Sequence, residues 1–246
     1  MPHTVRRPRR SSRRQAERWT GLAERIANAF GLVLVLILVT YVLASVTPYH
    51  GWTAVLIAAA TTASASVALA TAGAAPRLIR WAGRLAALAV LLAAISAASG
   101  GAPPLALSAL IQTGLLALAA AAVLRAVIGE AQVGFRTILG AISVYLIFAL
   151  LFTSLYVGLD RLQPGPLFGS SAHIGTGDYL FFSLTTLTTT GYGNLVPAGQ
   201  PGKMFAGLEM LLGQIFLVTM IAGLVSLWRP GEWVRSKQQA RGEPRP

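Results

Sequence analysis

Between two long apolar segments, residues 185–194 read TTLTTTGYGN: five threonines, two glycines and a tyrosine, with no group that exchanges a proton at neutral pH. What the stretch offers is oxygen. A cation leaving water needs ligands of comparable strength, because an unpaired charge in a medium of low dielectric constant costs on the order of tens of kcal/mol. Backbone carbonyls can serve if successive ones point the same way. That requires a chain alternating between right- and left-handed regions, and glycine takes the positive-φ positions with no Cβ penalty. Gly191 and Gly193 are spaced for this. Thr189 adds a hydroxyl at the inner end, and Tyr192, between the glycines, points outward as a brace. Lacking carboxylates, the site suits a weakly hydrated monovalent ion better than calcium. No nucleophile–base pair, metal-ligand cluster or phosphate-binding loop occurs in a plausible context, so neither an enzyme nor a cofactor is expected. The chain has no cysteine, which excludes disulfides and thiolate metal sites.

The elements that must hold such a stretch are membrane helices. The chain has 246 residues, 54% of them hydrophobic and 11% charged, too apolar for an ordinary soluble domain. Apolar runs with at most one charge, long enough to cross a hydrocarbon core of about 30 Å, fall at about 27–47, 52–73, 83–99, 105–128, 137–159 and 204–228. The net charge of +12 would suggest nucleic acid in a soluble protein, but the positions of the charges argue otherwise. Eight of the twenty basic residues lie in the first 25 positions. With the N-terminus inside, Arg77, Arg80, Arg84, Arg125, Arg136 and the five basic residues of the tail are also cytoplasmic, and only Arg161 and Lys203 lie outside. That asymmetry predicts six crossings with both termini cytoplasmic in a multi-pass cell-membrane protein, and no nucleic-acid partner. Tyr49 and Trp52 would mark the outer interface, and Trp19, Trp81, Trp228 and Trp233 the inner one. The run from Phe30 to Thr47 is longer than a signal-peptide core. The arginine-rich arm before it is most simply a topology marker, with binding of anionic lipid as its functional alternative. The second and third spans are dense in Ala, Ser and Thr, which lets helices pack closely in lipid.

Between the fifth and sixth spans, DYLFFSLTTLT is apolar and helical in length but, at eleven residues, too short to cross. Asp178 opens it as an N-cap or first-turn acid. It reads as a re-entrant helix, and the irregular TTGYGN after it can exist at membrane depth only where protein or a water-filled path satisfies its polar groups.

Thr189-Thr190-Gly191-Tyr192-Gly193-Asn194 is similar to the potassium-channel signature TVGYGD. YLFFSLTTLTTTGYGNLVP resembles that family's pore helix and filter as a unit, and KMFAGLEMLLGQIFLVTMIAGLVSLW resembles its inner helix, so the likeness covers roughly 137–228. The resemblance implies an all-α membrane protein of six transmembrane helices plus a re-entrant pore helix and filter. It also implies potassium binding at Thr189, Thr190, Gly191 and Tyr192, carbonyl oxygens replacing the hydration shell as described for potassium-channel filters. One signature per chain, with about four carbonyls needed around each ion layer, makes the expected unit a homotetramer. Three positions depart from the family pattern. Thr190 replaces Val, Asn194 at the outer mouth replaces Asp, and Phe182 stands where many members have a Trp that clamps that Asp. Gly213 falls at the family's hinge glycine, where it either bends the inner helix or lets helices pack closely; Gly223 is the second hinge candidate. Glu209, an acid well inside a span, is expected to be hydrogen-bonded behind the pore helix. His173, in the outer loop, reads as a solvated residue with a titration range near neutrality.

The expected organisation is a basic cytoplasmic arm (1–25), a four-helix peripheral domain (26–128), a pore domain (129–228) and a short cytoplasmic tail (229–246). Although this layout resembles voltage-gated channels, the fourth span carries only Arg125 and no acid lies in the first three. A sensor moves about three to four charges per subunit, so steep voltage dependence is not expected. The short link GEAQVGFRT should keep each four-helix bundle beside its own pore helices. A non-conducting receptor or assembly protein that keeps the pore fold, and a less selective cation channel, are the alternatives. A transporter subunit would carry several filter repeats rather than one.

Overall fold

The computed structural model describes residues 30–46, 51–129, 135–169 and 174–227. The described chain is all-α, with seven helices. They are α1 (Phe30–Val46), α2 (Gly51–Thr71), α3 (Pro76–Ser99), α4 (Ala102–Ile128), α5 (Phe135–Leu162), α6 (Thr176–Leu187) and α7 (Gln200–Leu227). Five of these, α2 to α5 and α7, are long and apolar enough to cross a membrane, while α1 is a shorter apolar helix. The arm, the tail, Trp19, Tyr49, His173, Trp228 and Trp233 lie outside the described residues.

Several helices run past the apolar windows that sequence alone suggests. Arg77, Arg80 and Arg84, expected in a loop, lie in the first turns of α3, and the connection before them is only Ala72–Ala75. Pro76 opens the helix, where its missing N–H costs nothing, and arginine is a good helix former whose long stem lets its charge reach the interface. The Arg84 guanidinium lies 4.9 Å over the Trp81 ring. Arg125 likewise sits in the last turn of α4.

Small side chains set the bundle's packing. A Cβ on Gly51 would sit 3.1 Å from the Ala97 carbonyl oxygen, so the start of α2 and the end of α3 approach closely. Interhelical hydrogen bonds supplement this contact. Ser108 donates to the Ala89 carbonyl at 2.7 Å, and Thr40 and Ser64 hydroxyls lie 3.3 Å apart. The two small-residue helices are not equivalent: α2 buries one face through Ala58, Ser64, Ala65 and Leu69, whereas α3 buries only Ala82, Ala89 and Ala93. Helix α3 is therefore the outer member of the single chain, with Leu85, Leu88 and Leu91 exposed.

The peripheral bundle and the pore helices share a core. Val33, Leu69, Leu116, Val123, Val144, Ile147 and Leu180 belong to one buried cluster spanning α1, α2, α4, α5 and α6. At the seam of α4 and α5, a Cβ on Gly158 would lie 3.1 Å from Leu110 Cδ2, and one on Gly140 would lie 2.6 Å from Val127 Cγ2. Within a single chain, α4 thus packs directly on α5.

Candidate ion-conducting site

The short apolar helix expected to be re-entrant is α6. Asp178 is its third residue, and its carboxylate accepts the Gly175 N–H at 2.8 Å, so it acts as a first-turn acid rather than as the N-cap. The segments flanking α6 and the stretch after it are tied together. Gly169 N–H donates to Val196 O at 3.1 Å and Ala198 N–H to Leu167 O at 2.8 Å, forming an antiparallel bridge between Phe168 and Pro197. Asp160 at the end of α5 accepts the Leu167 N–H at 2.9 Å. The loop holding the stretch is thereby closed at its base.

Where α6 ends, the backbone folds back on the helix terminus. Thr188 N–H donates to Leu184 O, Thr189 N–H to Thr186 O, and both Thr190 and Gly191 N–H to Thr185 O, at 2.8 to 3.1 Å. These bonds satisfy the last carbonyls of the helix and the first N–H groups of the irregular segment together, as membrane depth requires. Beyond them φ alternates in sign: 56° at Thr189, 52° at Gly191 and 80° at Gly193 are the positive values, with Thr190 and Tyr192 between them on the ordinary side. Alternating handedness is what turns successive carbonyls toward one side of the strand. The negative end of the α6 dipole meets the same place and favours a cation there. Residues 188–194 are all exposed on the single chain.

Gly191 and Gly193 have the backbone expected from their type. Thr189 does not announce itself in the sequence, because a β-branched residue at positive φ is an outlier. Its hydroxyl donates to Thr188 O at 2.7 Å and accepts from Gln214 Nε2 at 2.9 Å, two bonds that help to hold the conformation. The hydroxyl of Thr190, where a valine was the expected side chain, lies 2.8 Å from that of Thr188. It is satisfied beside the helix end. Tyr192 stacks on Phe181 with ring centroids 5.7 Å apart and 15° between planes.

Phe182 is placed elsewhere. It is buried edge-on against Tyr156 at 5.0 Å and Phe168 at 4.8 Å, so any support it lends the stretch passes through this aromatic cluster behind α6. The aromatic on Tyr192 is its neighbour, Phe181. Helical phase was the available signal: Tyr179, Phe182, Ser183 and Thr186 share the buried face, which turns residue 181 to the other side.

Glu209 is fully buried and sits behind the pore helix as its position suggested. Tyr156 of α5 donates to Oε2 at 2.7 Å, and Ser183 of α6 donates to Oε1. Ser183 also lies 2.9 Å from the Ala149 carbonyl. One carboxylate therefore ties three helices. Glu209→Leu should lower the unfolding free energy by about 2–4 kcal/mol, because it strands a buried phenol and breaks a network. Tyr156→Phe, losing one hydrogen bond, should cost about 1 kcal/mol. Thermal unfolding in detergent reads both, and equal midpoints for Glu209→Leu and the unmodified protein would refute the role.

Gly213 faces the end of α6, where a Cβ would collide with the Leu187 carbonyl oxygen and lie 2.9 Å from Leu187 Cδ1. At Gly223 a Cβ would meet nothing within 4 Å. Among the described residues no cluster of His, Cys, Asp or Glu could hold a metal.

Residues 140–229 match a family model described as ion channel. A stretch of 55 residues is 38% identical to mouse potassium channel subfamily K member 10, covering 22% of this chain and 10% of that protein. The chain thus spans about a tenth of the length of that relative. No solved structure matches. The segment that carries the capped short helix, the alternating backbone and the glutamate behind it thus matches an ion-channel pore domain, within a multi-pass membrane protein.

Proposed function

We propose that this protein is a potassium-selective channel that passes K+ down its gradient through a filter formed by Thr189 to Gly193. The observation that carries the reading is the alternation of backbone handedness along residues 189–193, set immediately after a short helix whose C-terminus points at the path. The short match to a potassium channel points to the same ion. Oxygen ligands without carboxylates favour a monovalent ion, and a single strand supplies only one carbonyl per layer. The working unit is therefore a homotetramer of six-crossing subunits in the cell membrane, both termini cytoplasmic, with K+ held at Thr189, Thr190, Gly191 and Tyr192. Purified protein in planar bilayers, with K+ on one side and Na+ on the other, should reverse near the potassium potential. Reversal near zero would make it a non-selective cation pore, and silence under voltage, pH and tension would favour a non-conducting role.

Helix α4 carries only Arg125, and the three arginines of α3 sit together near its start rather than along a span, so open probability should vary weakly with voltage and Arg125→Gln should leave the slope nearly unchanged. The close seam of α4 on α5 within one chain supports a non-swapped arrangement. Because the chain has no cysteine, Leu110→Cys combined with Gly158→Cys gives a clean test. Oxidation should produce intrachain disulfides and leave the denatured protein monomeric. Crosslinked dimers and higher bands would mean that α4 packs on a neighbour's α5.

A further inference from the structure

Thr189 has an uncommon combination of features: a β-branched side chain at φ 56°, exposure on the single chain, and a hydroxyl with one hydrogen bond that reaches out of its own loop. A hydroxyl has one proton and two acceptor lone pairs. The proton goes to Thr188 O at 2.7 Å. One lone pair takes the Gln214 amide N–H at 2.9 Å. The remaining lone pair is left for a ligand of positive charge. The orientation of that oxygen is set by a residue on α7, twenty-five positions further along the chain.

The reach depends on how close α7 comes. At Gly213, the residue before Gln214, α7 approaches the end of α6 so closely that a Cβ would collide with the Leu187 carbonyl. Backbone against backbone at 213 fixes the distance over which a glutamine side chain at 214 can meet residue 189. A left-handed threonine costs of the order of 1–3 kcal/mol and persists only where its surroundings over-determine it. The amide from α7 is one of those determinants.

We propose that Gln214 is a positioning residue for the innermost ion layer: its amide holds the Thr189 hydroxyl with one lone pair toward the path, and ion selectivity depends on it. The inference rests on the potassium-channel reading above. Any displacement of α7 that breaks this bond also releases Thr189.

The test measures reversal potentials of the full-length channel in bilayers with K+ and Na+ on opposite sides. Gln214→Met keeps the length and removes the donor. It should raise the sodium-to-potassium permeability ratio about five-fold, the size of one ordinary hydrogen bond. Gln214→Glu, whose ionised carboxylate has no proton to donate, should raise it at least as much. In a Thr189→Val background, where no hydroxyl remains to be oriented, adding Gln214→Met should change nothing further; that coupling distinguishes positioning from a general loss of structure. An unchanged ratio in Gln214→Met, or an equal effect with and without the Thr189 hydroxyl, overturns the proposal. Loss of assembly in both Gln214 variants assigns the residue to folding and also overturns it. A failure of the underlying reading is separate, since the unmodified channel would then fail to discriminate K+ from Na+.

Discussion

Gly191→Ala should abolish potassium-selective current while leaving the protein folded. The obstacle is not space. A Cβ built on Gly191 meets nothing within 4 Å of the single chain, so the substitution acts through its φ of 52°. An L-residue in that region carries about 1–2 kcal/mol of strain. Four copies around one axis make roughly 4–8 kcal/mol, against about 5.5 kcal/mol needed to move a two-state equilibrium from 99:1 to 1:99. The conducting backbone should therefore become the minor state. The fold should survive, because α6 stays anchored by Asp178, Ser183 and the aromatic cluster, none of which Gly191 touches. Gly207→Ala is the control, since its Cβ also meets nothing within 4 Å but it sits mid-helix in α7 at ordinary φ. It should conduct like the unmodified protein. A Gly191→Ala channel with a normal reversal potential would remove the reason for assigning ion ligation to this backbone.

Which parts of this architecture could be read from residue order depended on how local their causes were. Helix positions followed from the length of apolar runs, and the re-entrant helix from a run too short to cross, because both are set by the thickness of the bilayer. Errors at the helix ends came from treating charge as a boundary. Arginine ends an apolar window but continues a helix, so α3 starts at Pro76 rather than near residue 83. The positive φ at Gly191 and Gly193 was legible because glycine is the usual answer to that conformation. Thr189 was not, since its conformation is supported by Gln214, a contact made by tertiary packing that no local pattern encodes. Glu209 could be recognised as special from its isolation in an apolar helix, but its partners, Tyr156 and Ser183, are 53 and 26 residues away. The different surroundings of Phe181 and Phe182 were hidden for a smaller reason: adjacent residues on a helix are turned about 100° apart, and only the helical phase separates the one on Tyr192 from the one against Tyr156 and Phe168.

Gly213→Ala decides between the two uses of glycine in α7. If Gly213 is a hinge, the protein gains helix propensity and loses bending. Alanine is worth up to about 1 kcal/mol over glycine in a helix interior, so the variant would be more stable than the parent and would open less often. The packing geometry points the other way. A Cβ at 213 meets the carbonyl oxygen of Leu187 and, at 2.9 Å, its Cδ1. A side chain can rotate aside, whereas a carbonyl at the end of α6, itself accepting the Tyr145 hydroxyl at 3.2 Å, cannot move without dragging Thr188 and Thr189. Overpacking of this kind costs about 1–3 kcal/mol, which exceeds the propensity gain over most of its range. Gly213→Ala should therefore lower the thermal midpoint, and it should also weaken selectivity, because α7 carries Gln214 away from Thr189 as it backs off. Gly223→Ala offers the contrast: with nothing within 4 Å of its Cβ, it should be at least as stable as the parent, and a fall in open probability there would identify the bend. If Gly213→Ala proves stabilised, keeps its selectivity and changes only how often the pore opens, the hinge reading holds and the packing argument is wrong.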